Sequence, residues 1–279
     1  MNKFIISLLT ALSLVAMSAL GADPVTRMAN NGNLIMEDIP DIPAEIVEDL
    51  NRYQNVRSAS FREWTEDGQG MYISTRFGDV SQIHRVDMAG GARSQITFYD
   101  EPIGGVTRQP GGRNIIFTRD AGGSEFSQVF LLDPIDGTTT MLTDGESRNR
   151  GVQWDRDGRR IAYTSTARNG RSNDVWIMDP QDDSSAQVAL ESPDGSSWSA
   201  TEFNASGTRV LISTYVSIAD SRVNLLDLDT GAVTLLAGGD DNRSANFPFA
   251  FDDDNGGFWF VTDQGSEFRQ LAWQALSLI

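Results

Sequence analysis

The chain has 279 residues, 39% of them hydrophobic, a formal net charge of −17, no cysteine and a single histidine, His84. This length and apolar content are enough for a hydrophobic core, which excludes a disordered chain. The lack of cysteine excludes disulfides, thiolate catalysis and cysteine-ligated metals, and we expect neither a metal nor a cofactor. The strong negative charge argues against nucleic acid and anionic membranes as partners, since both are bound by basic patches.

The first 22 residues have the pattern of a secretory signal peptide. Lys3 supplies the positive start, residues 4–20 form an apolar stretch, and small residues near Gly21 provide a cleavage site. The alternative is a retained membrane anchor, but the apolar stretch is short for a span. We therefore expect an exported protein, periplasmic or secreted, with no membrane contact beyond the signal peptide.

Residues 23–56 are predicted to be a lead-in with one short helix. Pro43 suits a first helical turn, and Ile46, Val47, Leu50 and Tyr53 then recur at helical spacing. This pattern predicts an amphipathic helix over residues 44–53 that packs against the structure that follows.

From residue 57 onward the sequence repeats. Each unit has an aromatic residue, a turn, a glycine and then an apolar strand, and the turn position recurs at intervals of 44 to 49 residues. The turn residues are Gly68, Gly112, Gly158, Gly207 and Asn255. The aromatic position is held by Trp64, Trp154, Phe203 and Phe251, with Arg108 in the second unit. We expect the four aromatic side chains to lie in the core, because their register repeats.

A second signature repeats in phase with the first. Short strands end at Asp87, Asp133, Asp179 and Asp227, and Trp273 is assigned to the next such position. These aspartates are predicted to form turns. The strands after the glycine turns are apolar on both faces, as expected for a sheet with a neighbour on each side. A β-sandwich would not repeat at a fixed interval.

The two periodicities together predict an all-β propeller, in which each blade carries four strands, A to D. The predicted blades cover approximately residues 57–100, 101–145, 146–191, 192–238 and 239–279, and the last stops after strand C. Because each blade needs a neighbour on both faces, we expect the isolated chain to be unstable and to associate.

Several stretches, including residues 73–78, 122–126, 161–165 and 174–180, closely resemble the propeller half of the prolyl oligopeptidase family of serine peptidases. The resemblance is strongest to the bacterial branch of dipeptidyl aminopeptidases and acylaminoacyl peptidases, and it covers about residues 42–273. It implies a propeller of seven or eight blades, of which about four and a half are present, joined to a C-terminal α/β-hydrolase domain.

The chain departs from that family in lacking the catalytic residues. It has no Gly-x-Ser-x-Gly nucleophile elbow, and His84 is predicted to lie within a strand as a structural residue. The resemblance therefore implies no catalytic residue in this chain and a hydrolase domain beyond residue 279. The chain is expected to be the substrate-gating propeller of an exported serine peptidase that hydrolyses short peptides. Its partners are then a peptide and its own hydrolase domain.

Two alternatives remain open: a non-enzymatic, TolB-like periplasmic propeller that binds a protein, and the propeller of another exported enzyme. Charged and polar residues in predicted rim loops are candidates to hold a peptide by charge-assisted hydrogen bonds, with solvated turns as the alternative. These candidates are Asp100, Glu101, Arg148, Asn149, Arg168 and Asn169. The run from Asp252 to Asp254 is not predicted to bind calcium, because it lacks alternating ligands and a distal glutamate.

Overall fold

The computed structural model of the protein describes residues 24–193 and 195–276. The predicted signal peptide, residues 1–22, lies outside the described residues. After a two-stranded hairpin, five antiparallel sheets of three or four described strands follow one another along the chain, and neighbouring sheets meet mainly through their first strands. This arrangement confirms the predicted all-β propeller. Within the described residues, no helix is long and apolar enough to cross a membrane.

The lead-in forms a hairpin and a helix. The hairpin pairs β1 (Thr26–Ala29) with β2 (Leu34–Glu37), and the Asn33 side-chain amide donates to the carbonyl oxygens of Ala121 and Gly122. Helix α1 spans Ala44–Gln54, as the periodicity predicts. Its predicted packing is wrong, because none of its residues is buried. Ile46 and Leu50 on its apolar face are exposed.

The first three blades each contain four strands in meander order. Blade 1 consists of β3 (Ala59–Trp64), β4 (Met71–Thr75), β5 (Gln82–Val86) and β6 (Ser94–Gln95). Blade 2 consists of β7 (Val106–Arg108), β8 (Ile115–Arg119), β9 (Gln128–Leu132) and β10 (Thr139–Met141). Blade 3 consists of β11 (Asn149–Trp154), β12 (Ile161–Ser165), β13 (Asp174–Asp179) and β14 (Asp182–Leu190).

Blades 4 and 5 continue the series. Blade 4 consists of β15 (Ser197–Phe203), β16 (Arg209–Ser217), β17 (Asp220–Asp227) and β18 (Val233–Ala237). Blade 5 consists of β19 (Asn246–Phe251), β20 (Gly257–Thr262) and β21 (Gln270–Ala275), so the described residues give it three strands. In every blade the first to last strands are referred to below as A to D.

The A–B turns sit at equivalent places and require left-handed backbone. Gly68, Gly158 and Gly207 have φ of 68°, 67° and 67°, a conformation that glycine adopts without steric cost. Blade 2 has its turn at the predicted place, with a different backbone conformation. Gly112 makes the equivalent hydrogen bond to the Gln109 carbonyl, but Gly111 takes the positive φ of 64°. The reason is the preceding Pro110, which places glycine at the third position of a type II turn.

Neighbouring blades pack through apolar faces whose register repeats. In strand B of blade 2, Ile115 and Phe117 face blade 1, while Ile116 between them faces blade 3. The same alternation holds in blades 3 and 4, which explains why these strands are apolar on both faces. The core is therefore a set of four layers between consecutive blades.

Two predicted positions need correction. Trp154, Phe203 and Phe251 are buried as predicted, but Trp64 is 52% exposed, because its side of blade 1 meets no other sheet in the described structure. Trp273 pairs with Trp259 across strands B and C, as Leu225 pairs with Leu211. Trp273 is therefore equivalent to Leu225, and Ala275 holds the position of the repeated aspartate.

Candidate functional site

The five blades form two rims with different contents. The turn rim carries the A–B and C–D turns, and the connecting rim carries the B–C loops and the connections between blades. All six residues predicted to face a substrate lie on the connecting rim: Asp100, Glu101, Arg148, Asn149, Arg168 and Asn169. The fold thus gathers them at one end of the propeller, on blades 1 to 3.

Glu101 belongs to a fixed charged cluster between blades 1 and 2. Its carboxylate accepts hydrogen bonds from Arg119 Nη1 at 2.7 Å and from the Gly122 amide at 3.2 Å. Burial alone would raise the pKa of Glu101, but these two donors hold it below its ordinary value. The Arg119 guanidinium also stacks on the Tyr99 ring, 4.5 Å from its centroid. Glu101 is therefore a held anion, while its neighbour Asp100 is exposed.

Arg148 and Asn149 are neighbours with different environments. The Arg148 guanidinium lies 5.0 Å from the centroid of the Phe126 ring, and no described carboxylate pairs with it. The Asn149 side chain is buried, and its amide donates to the carbonyl oxygens of Ser127 and Ser147. Arg148 thus remains available to an anionic or carbonyl ligand. Asn149 instead connects blades 2 and 3 through its buried hydrogen bonds.

Arg168 and Asn169 lie in the B–C loop of blade 3. Arg168 makes a bidentate ion pair with the fully buried Asp174, at 2.6 and 3.0 Å, and also pairs with Glu191 at 3.2 Å. The Asn169 side-chain oxygen accepts from the amides of Arg171 and Ser172, which closes the loop turn. Both side chains are therefore occupied by contacts within blade 3.

Three buried residues that anchor the connecting rim were not predicted. Gln82, Gln128 and Asp174 each begin strand C of their blade. Gln82 donates to the carbonyl oxygens of Tyr99 and Glu101, each at 3.0 Å. Gln128 donates to the Ser147 carbonyl at 2.7 Å, and Asp174 accepts from the Ser192 amide at 2.7 Å. The three are 46 residues apart, five residues before the repeated aspartates, so their spacing was a usable signal.

A cavity of about 510 Å³ lies among the first strands of blades 1 to 3. Its polar lining includes Glu63, Thr107, Thr118 and Ser127, and Gly105 and Gly151 leave backbone open to it. A space of this size holds a small molecule or a few residues of extended peptide, not a folded domain.

Glu63 and Glu202 are equivalent glutamates that precede the aromatic position of their blades. Glu202 accepts a 2.6 Å hydrogen bond from the Phe251 amide of blade 5, and Glu63 accepts from the Arg108 amide of blade 2. Burial raises the pKa of both carboxyls above the ordinary value, although these amides and nearby arginines oppose the shift. Each glutamate thus satisfies a backbone donor at the inner edge of the next blade.

His84 has no catalytic partner in the described structure. It is fully buried within β5, its Nδ1 lies 3.1 Å from the Gln82 carbonyl oxygen, and its ring packs against Phe77. Burial lowers the pKa of His84 below its ordinary value, although the hydrogen bond to the Gln82 carbonyl opposes the shift. No described serine hydroxyl hydrogen-bonds to it, and no described cluster of acidic residues is arranged to hold a metal ion.

Comparisons with known proteins show the fold. No protein-family profile matches the sequence, and no curated protein matches it. Among solved structures, a prolyl endopeptidase aligns with a TM-score of 0.65 and 11% identity over 93% of this chain and 45% of its own. TolB from Acinetobacter baumannii aligns with a TM-score of 0.52 and 16% identity over 90% of this chain and 59% of its own.

Oligogalacturonate lyase from Vibrio parahaemolyticus also aligns, with a TM-score of 0.62 and 11% identity over 80% of this chain and 63% of its own. The chain thus spans between about half and two thirds of the length of these structures. At such identities the similarity shows a shared propeller fold.

Proposed function

We propose that the chain is the substrate-gating propeller of an exported serine peptidase that hydrolyses short peptides, with the α/β-hydrolase domain encoded beyond residue 279. The observation that carries the proposal is the set of sequence stretches resembling the prolyl oligopeptidase family, on a propeller that aligns with a prolyl endopeptidase over 93% of the chain. Catalysis would then be acyl transfer by a Ser-His-Asp triad in the other domain.

The connecting rim suits the handling of a peptide. Arg148 offers a guanidinium that no described carboxylate neutralises, and its stacking on Phe126 holds it in place. A peptide carboxylate or carbonyl is a good acceptor for such a group. The cavity among blades 1 to 3 is bordered by exposed backbone at Gly105 and Gly151, and backbone groups bind extended peptides irrespective of their side chains.

Size selection is the property that tests this proposal. The coding sequence is extended past codon 279 to its natural stop, and the product is assayed on a short peptide and on the same sequence within a folded protein. We expect cleavage of the free peptide alone. A downstream sequence without a Gly-x-Ser-x-Gly elbow, or equal cleavage of both substrates, would overturn the proposal.

A TolB-like binding module is the second candidate. It is favoured by the lead-in, where Met28 and Ile35 on the hairpin and Ile46 and Leu50 on α1 are exposed apolar side chains suited to a protein partner. A reading frame that ends after a few more blades, without a nucleophile elbow, would support this candidate instead.

A further inference from the structure

Blades 2 and 3 each turn an aromatic pair toward the blade before them. In blade 2 the rings of Phe117 and Phe130 are stacked, with centroids 5.2 Å apart. In blade 3 the pair is Tyr163 and Trp176, with centroids 6.4 Å apart. The two pairs are equivalent, because both are direct cross-strand partners in strands B and C and they lie 46 residues apart in sequence.

An arginine of the chain itself covers the aromatic pair of blade 2. The Arg119 guanidinium lies 4.5 Å from the ring centroid of Tyr99 and 5.1 Å from that of Phe130. Its Nη1 donates to the Glu101 carboxylate at 2.7 Å. This arginine cluster, formed by Tyr99, Glu101 and Arg119, therefore combines a cation, its counter-charge and aromatic faces for stacking.

Blade 3 has small residues where blade 2 has the arginine cluster. The register of strands B and C makes Ser165 the equivalent of Arg119. The segments that precede the two blades are also equivalent, because Gln82 and Gln128 bind them through the same pair of hydrogen bonds. Small residues replace the cluster in this segment too: Gly145 for Tyr99 and Ser147 for Glu101.

A cavity of about 330 Å³ lies at this place between blades 2 and 3. Tyr163 and Trp176 give it aromatic walls, and Asp144 and Asp183 are the charged residues of its lining. The described lining contains no arginine or lysine, and neither carboxylate forms an ion pair with a described residue. The cavity thus keeps aromatic faces and negative charge but lacks the cation that blade 2 has.

Two oxygen atoms at the cavity are unused. Tyr163 is only 3% exposed, yet its hydroxyl makes no hydrogen bond with a described residue. Asp144 Oδ1 accepts from the Ser147 hydroxyl and from two backbone amides, whereas no described donor reaches Oδ2. Burial raises the pKa of Tyr163 to about 12, and the charge of Asp144 adds to this shift. Because a buried polar group without a partner is costly, these oxygens point to a ligand that donates hydrogen bonds.

We infer that this cavity binds the guanidinium of an arginine side chain from a peptide, in the place that Arg119 occupies in blade 2. The bound guanidinium stacks on the aromatic walls and donates to Asp144 Oδ2 and to the Tyr163 hydroxyl. A planar group with five donors suits this combination better than the compact ammonium of lysine. The net charge of −17 also attracts a cationic peptide. The inference deepens the proposed function and rests on it for the identity of the peptide as a substrate.

The test measures binding by isothermal titration calorimetry in 0.15 M salt, which screens the net charge of the chain. The protein is the product of the whole open reading frame, first treated with a fluorophosphonate so that an activated serine cannot hydrolyse the probe. The probe is the tripeptide Gly-Arg-Gly, acetylated and amidated so that the guanidinium is its only charge. The reference peptide carries citrulline, a neutral side chain of nearly the same shape. We expect the arginine peptide to bind about tenfold or more tightly than the reference peptide.

Two variants change the cavity in different ways. Asp144→Asn removes the charge but keeps an oxygen for the amides of Glu146 and Ser147, and it should weaken binding about tenfold. Ser165→Arg puts a guanidinium where Arg119 lies in blade 2, so it should fill the cavity and abolish binding. Glu146→Gln is the matched control, because it makes the same change of charge at an exposed residue outside the cavity lining. The control should bind like the parent protein.

Circular dichroism checks that the variants are folded, and Asp144→Asn alone is sufficient if Ser165→Arg does not fold. Equal binding of the two peptides, equal effects of Asp144→Asn and Glu146→Gln, or binding retained by folded Ser165→Arg would overturn the inference. The proposed function fails separately. A downstream sequence without a nucleophile elbow would contradict the peptidase but leave these binding results unchanged.

Discussion

Glu202, which precedes the aromatic residue of blade 4, accepts a hydrogen bond from the next blade and makes stability depend on pH. Glu202 satisfies the Phe251 amide of the next blade, but it is partly buried, with Arg156 Nη2 4.0 Å away. Burial raises the pKa of Glu202 above its ordinary value of 4.5. The folded protein therefore holds this proton more tightly than the unfolded chain. The contribution of Glu202 to stability consequently falls as the pH rises from 4.5 through the folded-state pKa.

Glu202→Gln should remove that pH dependence and keep the hydrogen bond, because the amide oxygen still accepts. We expect the variant to gain stability relative to the parent chain as the pH rises toward 7. Glu202→Ala should instead lose about 1–3 kcal/mol, because the Phe251 amide is left without an acceptor. Urea unfolding at several pH values measures both effects, with Glu66→Gln as an exposed control. Equal stability of the Gln and Ala variants would contradict this role.

Alanine substitutions at two equivalent turn glycines distinguish the cost of backbone strain from the cost of a clash between blades. Gly68 and Gly158 have nearly identical φ, but an added Cβ at Gly68 meets open space, whereas at Gly158 it collides with the Pro110 carbonyl oxygen of blade 2. Gly68→Ala should cost about 1–2 kcal/mol from left-handed backbone alone. Gly158→Ala should cost clearly more, measured by chemical denaturation. Equal costs would mean that the turns of blades 2 and 3 are not in contact.

At the scale of elements, the B–C loop of blade 3 depends on one ion pair. Arg168 is the partner of Asp174, which is fully buried and also accepts from the Ser192 amide. Removing the guanidinium leaves a buried carboxylate without its counter-charge, so Arg168→Ala should destabilise the chain by about 3 kcal/mol. Arg171→Ala in the same loop, where the arginine is exposed, should change stability by less than about 0.5 kcal/mol. A similar small effect for both would show that the pair is not structural.

The elements that the sequence predicts well are those set by local chemistry. Glycine turns followed by strands apolar on both faces, such as residues 115–117 and 210–212, identify strand B without knowledge of its neighbours. The exposure of Trp64 and the lack of packing of α1 were not predictable in this way. Both depend on what lies next to a surface, and a repeat pattern says only which surface needs covering.

The sequence predicts where the six candidate residues lie, but not what each of their side chains does. The six residues do gather on one rim, because loops at equivalent repeat positions must do so in a propeller. Their functions depend on partners distant in sequence: Asn149 reaches Ser127, and Glu101 is held by Arg119. A single sequence does not reveal such pairs, so a structural arginine like Arg168 and an available one like Arg148 look alike.

In the proposed two-domain peptidase, this propeller selects the substrate and another domain supplies the chemistry. Residues 23–279 alone should therefore hydrolyse no peptide amide bond above background. His84→Ala should leave that background unchanged, because the imidazole is buried in a strand with no described serine beside it. Hydrolysis that disappears in this variant would show that the chain carries its own active site.

Covalent labelling by a fluorophosphonate probe, which reacts with activated serines of hydrolases, shows directly which part of the protein carries the nucleophile. The probe is applied in parallel to residues 23–279 and to the protein encoded by the whole open reading frame. The labelled serine is then located by peptide mapping. We expect no label on the shorter chain and a single labelled serine beyond residue 279 in the longer one. A label on any serine of residues 23–279, or an unlabelled full-length product, would contradict it.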